Sequence, residues 1–514
     1  MRGKQRLVAP LAIAITIVVA TAAVARADEG GLQFAVSLDR AVAEQTLPAQ
    51  DGRRAVTGRL YVFLSQRGGQ PISGPNWFKP EPFAGVDVRD VQPGDARRVN
   101  GAASAFPDSL AKLPAGKYRV QALLDHDFYS PDHSHGVGNF YSEVKEIEHD
   151  PARPATVELL LNQTIKAETF PTRDWVKEIV LRSELLSQFH KREVVERASV
   201  VLPADYAEHP NRRYPVIYEI TGFGGTHVPP PRLLAAAPAA DEGETDFIRV
   251  TLDGKCKWGH HVYADSATNG PRGAALVREM IPHIDATYRT IAQSSGRFVT
   301  GHSSGGWTSL WLQVTYPDMF GGCFSTSPDP VDFRDFQRVD LYAYPPLSLY
   351  FDEKNEKRPI ARQGETPELW FVSFGLMDDV IGRGGQLRSF EATFSPLDSE
   401  GLPRKLWDRK TGQIDPQVAK AWEKYDIRLI LMRNWQTLGP KLQGKLHIYT
   451  GGLDTFYLEG AVEKLIPALK ELGSDAEVVV VPGKGHGGLR TQELVRQFRR
   501  QMTETVRAAH PDTP

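Results

Sequence analysis

In the stretch "RFVTGHSSGGWTSLWL", residues 297–312, Gly301, Ser303 and Gly305 fit the pattern G-x-S-x-G. That pattern marks an elbow in which a strained strand-to-helix turn holds a serine hydroxyl above a sheet. The register belongs to Ser303, because the residue two before Ser304 is His302. A serine hydroxyl is a poor nucleophile at neutral pH. It needs a histidine to take its proton and a carboxylate to orient that histidine. In chains built around such an elbow the order is Ser, then Asp or Glu, then His. "KLHIYTGGLDTFYLEG" offers Asp454 and "EVVVVPGKGHGG" offers His486, each just beyond a strand-like run in a glycine-rich turn. The competing readings are a turn or capping aspartate and a loop histidine without a partner. His447 lies inside a strand-like run and His510 in the tail, so neither suits the base.

The negative charge that develops on an attacked carbonyl oxygen needs two backbone N–H donors. One is expected from the residue after the nucleophile, Ser304. The other is expected from the loop after an earlier strand. "YEITGFGGTH", residues 218–227, is that loop, and Phe223 is the expected second donor, with Gly224 as the fallback. Ser303 would attack through its hydroxyl, while Ser304 would contribute its amide.

These side chains need a frame. From about residue 195, strand-like runs ("YPVIYEIT", "DFIRVTLDG", "GRFVTG", "GCFSTS", "KLHIYTGG", "AEVVVVPG") alternate with helix-like runs such as "GGWTSLWLQVTY" and "EGAVEKLIPALKELG". That rhythm predicts an α/β, doubly wound, mostly parallel sheet with helices on both faces. Ligands of such sheets sit beyond the carboxyl ends of the strands, where all five residues named above fall. Trp307, Leu310, Trp311 and Val314 follow the spacing of a core-facing helix, which is the context the elbow requires.

Residues from about 195 to 505 resemble the esterase D-type group of α/β-hydrolases, similar to feruloyl, enterobactin-type and S-formylglutathione esterases. The matching pieces are "YPVIYEITGFGG", "VTGHSSGGWTSLWLQVTYPDMFGGCFSTSP", "GGLDTFYLEGA" and "VPGKGHGGL". The resemblance implies an α/β-hydrolase fold and acyl-ester hydrolysis without metal or cofactor. It leaves the ester open. One departure is Thr221-Gly222 at the start of the oxyanion loop, where many relatives show His-Gly.

The first third reads differently. "GRLYVFLS", "GKYRVQALL" and "ATVELLLN" are short apolar or alternating runs between Gly- and Pro-rich turns, which predicts an all-β, sandwich-like accessory domain over residues 28–165. Residues 166–194 read as a linker and 195–510 as the catalytic domain. Within the latter, 328–445 is too long for one connection and is expected to contain a cap-like insertion around the substrate. "ELWFVSFG" and "DIRLILM" suggest that part of it is ordinary sheet and helix. The piece around 383–412 suggests loops with apolar contacts.

Arg2, Lys4 and Arg6, an apolar run to about Val24, and Ala25-Arg26-Ala27 read as a signal peptide over residues 1–27. The alternative is an uncleaved anchor. A secreted or periplasmic location follows from cleavage, with no membrane contact afterwards. The formal charge is −2 over 514 residues, and loss of residues 1–27 makes it more acidic, so no nucleic-acid footprint is expected. Hydrophobic content of 41% and charged content of 24% are those of an ordinary globular chain. Cys256 and Cys323 either pair or remain buried thiols.

Two polar clusters stay open. Residues 125–136 gather His126, His133 and His135 with Asp125, Asp127 and Asp132. They read as a polar rim rather than a metal site. Trp258, His260, His261 and Tyr263 either line the pocket or pack their loop. The expectation is therefore an exported serine esterase acting on a small-molecule or carbohydrate-linked ester. A peptidase or acyltransferase with the same residues, or a non-catalytic binding protein, is the alternative, and the oligomeric state is left open.

Overall fold

The computed structural model describes residues 31–48, 54–127 and 129–511. The expected signal peptide, residues 1–27, lies outside them. Eight strands form the central sheet: β1 (Val176–Arg182), β2 (Val195–Val201), β3 (Val216–Ile220), β4 (Ile248–Leu252), β5 (Arg297–His302), β6 (Gly322–Thr326), β7 (Leu446–Gly451) and β8 (Glu477–Val481). Their order is β1-β2-β4-β3-β5-β6-β7-β8. β2 runs antiparallel to β1 and β4, and every later pairing is parallel. The longer helices are α1 (Ser304–Thr315), α2 (Phe371–Ile381), α3 (Gln386–Phe394), α4 (Ile427–Leu442), α5 (Glu459–Glu471) and α6 (Gln492–Ala509), of which α1 and α5 pack directly on strands of the sheet. α1 is buried along almost its whole length, in keeping with a sequence that carries no charged residue. α6 buries only one stripe, Leu494, Phe498, Met502 and Val506, at intervals of four.

The linker expected over residues 166–194 is corrected at its centre. Val176–Arg182 is the first strand of the central sheet, and Glu184–His190 is a helix capped by Ser183. Lys177, Glu178 and Arg182 are the charges an edge strand carries against unwanted pairing, and they mask the strand as linker-like in composition.

Among the described residues, 32–164 hold nine strands joined in one hydrogen-bonded sheet rather than two separate ones. Only Leu32–Leu38 and Ala155–Thr164 pair in parallel. The sheet curls around its own core, which draws Phe34, Val88, Val99, Val120 and Phe140 from distant strands. From Leu60 onward, strand Val56–Ser65 is buried on both faces. Leu60, Val62 and Leu64 enter that core, while Tyr61 and Phe63 point the other way into the core of the central sheet and its helices. Arg59 donates to the carbonyl of Val380 at 2.8 and 3.0 Å, and the Tyr61 hydroxyl donates to that of Ile381 at 2.5 Å. Both acceptors lie in α2.

Residues 328–445 connect β6 to β7, which pair directly, so nothing between them enters the central sheet. "ELWFVSFG" divides between one strand of a separate hairpin (Pro359–Gln363 with Thr366–Trp370) and the start of α2. "DIRLILM" opens α4, with Asp426 accepting from the Leu429 amide as its cap. The 383–412 piece is not all loop, since it contains α3. Among the described residues no helix is long and apolar enough to cross a membrane.

Candidate active site

β5 ends at His302, and α1 begins at Ser304. The one residue between them, Ser303, is held at φ 60° and ψ −125°, a region an L-residue enters only under constraint. The constraint is visible in the flanking glycines. A Cβ on Gly301 would lie 2.1 Å from the Gly305 carbonyl oxygen, and one on Gly305 would lie 2.0 Å from that of Ile220. Neither position accepts a side chain. The Ser303 amide donates to the Thr326 carbonyl at 3.0 Å, and the Ser303 carbonyl accepts from Trp307 at 3.0 Å, which starts the helix.

Asp454 lies between β7 and α5, fully buried. Its Oδ1 accepts from the Phe456 amide at 2.9 Å, and its Oδ2 meets His486 Nδ1 at 2.8 Å. His486 sits beyond β8, packed edge-on against Phe456 and 4.4 Å from the His302 ring. Arg362, from the hairpin, braces this loop. It donates to the Asp454 carbonyl at 3.0 Å, pairs with Glu459 at 2.5 Å and lies over the Tyr457 ring.

The loop after β3 turns at Gly222–Gly225, closed by a 3.0 Å bond from the Gly225 amide to the Gly222 carbonyl. A Cβ on Gly222 would be 3.3 Å from that of Ser303, so this loop lies directly against the elbow. Ser304 is the first residue of α1, whose opening amides have no partner within the helix.

Ser303, His486, Gly222 and Phe223 line one pocket of about 290 Å³. Its other walls are mostly apolar: Trp77, Pro330, Ile360, Leu369, Phe374, Phe390, Phe456 and Leu458. Trp77 comes from the N-terminal sheet region and packs edge-on to Phe374 at 4.8 Å, and also against Phe223 and Phe456. Most of the rest comes from residues 328–445. Asp329, beyond β6, also reaches the pocket, and burial pushes its carboxyl up to about 6. Sequence reasoning missed Trp77, Asp329 and Gln386. Pro328-Asp329-Pro330 directly after a strand was the one available signal; Trp77 had none.

His302 lines the pocket as well. The Thr326 hydroxyl donates to the Gly301 carbonyl and faces His302 Nδ1 at 3.1 Å, so Nδ1 carries the proton. Burial, then the neighbouring His486, lowers His302 to about 3, which keeps it neutral.

The loop of residues 256–263 packs rather than lines. His260 Nδ1 accepts from the Val262 amide, leaving Nε2 to donate to the Thr221 carbonyl at 3.1 Å, just before the oxyanion loop. His261 Nδ1 accepts from the Tyr263 amide, and the Tyr263 hydroxyl donates to the Asp253 carbonyl. Cys256 and Cys323 are buried free thiols. In the 125–136 cluster His126 and His133 bond the carbonyls of Gly138 and Ile72, and His135 bonds Asp132. Among the described residues no group of three or more such side chains is arranged to hold a metal.

A family model named Esterase, described as "Putative esterase", matches residues 196–459, more than half of the chain. The chain belongs to this family. It is a carboxylic ester hydrolase with an α/β-hydrolase fold. The match includes Ser303 and Asp454 and stops short of His486. Among solved structures the esterase is similar to a ferulic acid esterase, 16% identical over 64% of this chain and 98% of that one, with a TM-score of 0.40. It is similar also to an S-formylglutathione hydrolase from Agrobacterium tumefaciens (13% identical; 65% and 98% covered; TM-score 0.37). A third is the fluorophosphonate-binding serine hydrolase F of Staphylococcus aureus (12% identical; 64% and 98% covered; TM-score 0.36). No curated protein matches the chain.

Proposed function

We propose that this protein is an exported serine esterase that works through Ser303, His486 and Asp454. Ser303 Oγ attacks the ester carbonyl carbon while His486 Nε2 takes its proton. Asp454 holds the ring in the tautomer with hydrogen on Nδ1 and stabilises the imidazolium that forms. The amides of Phe223 and Ser304 receive the developing oxyanion. The imidazolium returns the proton to the departing alcohol, leaving an acyl-enzyme. Water, deprotonated by His486, then releases the acid.

The observation that carries this reading is the 2.8 Å bond from Asp454 to His486, a histidine that lines the same pocket as a serine in strained backbone geometry. Export rests on the signal-like residues 1–27. The aromatic walls favour an acyl or aryl group of moderate size, on a small-molecule or carbohydrate-linked ester. The N-terminal sheet region acts here as a wall of the substrate site, through Trp77.

Labelling with a fluorophosphonate, followed by mass spectrometry of the adduct, tests the assignment. The adduct is expected on Ser303, and turnover of esters is expected to exceed that of matched amides. An adduct elsewhere, or no adduct from folded protein, refutes it.

A further inference from the structure

The loop that carries Asp454 is held by the same segment that walls the pocket. Asp454 is fully buried, and its Oδ1 is fixed by the Phe456 amide of its own loop. The direction of its carboxylate therefore follows the backbone of residues 454–456. All three carbonyls of that stretch accept from side chains or amides of residues 328–445. The Asp454 carbonyl takes Arg362 Nε at 3.0 Å, and the Thr455 carbonyl takes the Arg362 amide at 2.8 Å. The Phe456 carbonyl takes Gln337 Nε2 at 3.2 Å.

This loop is held against a local preference. Tyr457 sits at φ 57°, a left-handed conformation that a bulky residue adopts only under constraint. Its amide closes the turn onto the Asp454 carbonyl at 3.1 Å, and the Arg362 guanidinium lies 4.4 Å over its ring. Arg362 is anchored in turn by Glu459, the first residue of α5, with both side chains mostly buried. One guanidinium thus joins the acid, the constrained tyrosine and the next helix. Neither Arg362 nor Glu459 lines the pocket, whereas Ile360 and Leu369 of the same hairpin do.

We infer that Arg362 is a positioning residue for the acid: its Nε bond to the Asp454 carbonyl sets the carboxylate on His486, so that turnover depends on a side chain that touches no substrate. This rests on Asp454 and His486 acting as a pair, and it gives the segment around the pocket a second task besides shaping the substrate. Hydrogen bonds weaken steeply as their angle degrades. A displacement of about 1 Å in a reacting constellation can cost on the order of 10²-fold in rate.

The test separates the Nε bond from the ion pair. In the full-length protein, Glu459→Gln is combined with either Arg362→Gln or Arg362→Met. Both combinations remove the two charges together, so neither leaves one buried alone. The two replacements have the same length, but glutamine keeps an N–H donor where Nε stands and methionine does not. Thermal melting checks the fold, and kcat and KM are measured with p-nitrophenyl butyrate. The Arg362→Met pair is expected to lose about 10- to 100-fold in kcat with KM within about threefold of wild type. The Arg362→Gln pair is expected to recover most of that loss. Added to Asp454→Asn, the Arg362→Met pair should cost less than about threefold more, because residues that act as a unit are not additive. Equal kcat in the two pairs, a change confined to KM, or full additivity with Asp454→Asn overturns the inference. So does an Arg362→Met pair that fails to fold, which would make the bond a structural one. If Asp454→Asn alone keeps kcat within about tenfold of wild type, the assignment of Asp454 as the acid has failed instead.

Discussion

Replacing Asp454 with Asn probes the proposed mechanism through hydrogen-bond geometry alone. The two carboxylate oxygens have different partners. Oδ1 accepts from the Phe456 amide at 2.9 Å, and Oδ2 faces His486 Nδ1 at 2.8 Å. An asparagine has one oxygen and one NH₂. If its oxygen stays on the Phe456 amide, the NH₂ faces Nδ1. The imidazole then presents its lone pair at Nδ1 and its hydrogen at Nε2, so it cannot accept the Ser303 proton. Flipping the amide restores the tautomer but sets NH₂ against a buried N–H, at about 1–3 kcal/mol for the unsatisfied donor. Even then the neutral amide no longer stabilises the imidazolium. The lost charge-assisted bond is worth about 1.5–3 kcal/mol. Together these predict a barrier raised by roughly 3–6 kcal/mol, or a loss of about 10²- to 10⁴-fold at 1.36 kcal/mol per decade. The upper end matches the effect of the equivalent change in a serine protease. The assay is kcat for p-nitrophenyl butyrate, with circular dichroism to show that the variant is folded. A loss under about tenfold would refute the argument and turn attention to Asp329, the other carboxyl in reach of the pocket.

Ser303→Ala should reduce kcat by about 10⁶-fold with an unchanged melting temperature, whereas Ser304→Ala, whose proposed donor is its backbone, should cost far less; equal losses in kcat would remove the distinction between the two serines. Trp77→Ala should lower kcat/KM for bulky aryl esters relative to acetyl esters, since it deletes the aromatic contacts with Phe223 and Phe374, each worth about 0.5–1.5 kcal/mol beyond buried area; an unmoved ratio would show that the N-terminal wall does not touch substrate. His227 is a pH-dependent brace: burial opposes its charge, but bonds to Asp253 at 2.9 Å and Glu178 at 3.0 Å overcome this and raise its pKa. Its stabilisation is then complete below the unfolded value of about 6.5 and fades as pH rises through the higher folded value, so His227→Gln should depress Tm more at pH 5.5 than at pH 9, and an equal or reversed difference would contradict the assignment.

Much of this was legible where local sequence meets a steric demand. The strand–turn–helix around Ser303 is written in two glycines, because the backbone leaves no room for Cβ at Gly301 or Gly305. The runs ending at Gly451 and Val481 mark two strands because apolar β-branched residues stop at glycine or proline. β1 was hidden because its edge position requires charges. "ELWFVSFG" misled because a continuous apolar run fits a strand or a buried helix equally well. Trp77 was beyond reach for another reason. It acquires its role from segments about 300 to 380 residues away, where it meets Phe374 and Phe456. No local pattern encodes which surface a loop will cover.

The strand Val56–Ser65, sending alternate side chains into two different cores, has a consequence for how the chain folds. The N-terminal sheet closes one core of its own, but its other face and the interior of the hydrolase portion complete each other, because Tyr61, Phe63, Phe83 and Phe106 share one apolar cluster with Phe371, Phe374, Met377 and Val380 of α2. Cutting the chain between them would lay that cluster open to water and invite aggregation. The two parts are therefore one cooperative unit rather than beads on a string. In a calorimeter they should melt in a single transition, and a folding chain can assemble the walls of its substrate pocket only once both regions have been synthesised.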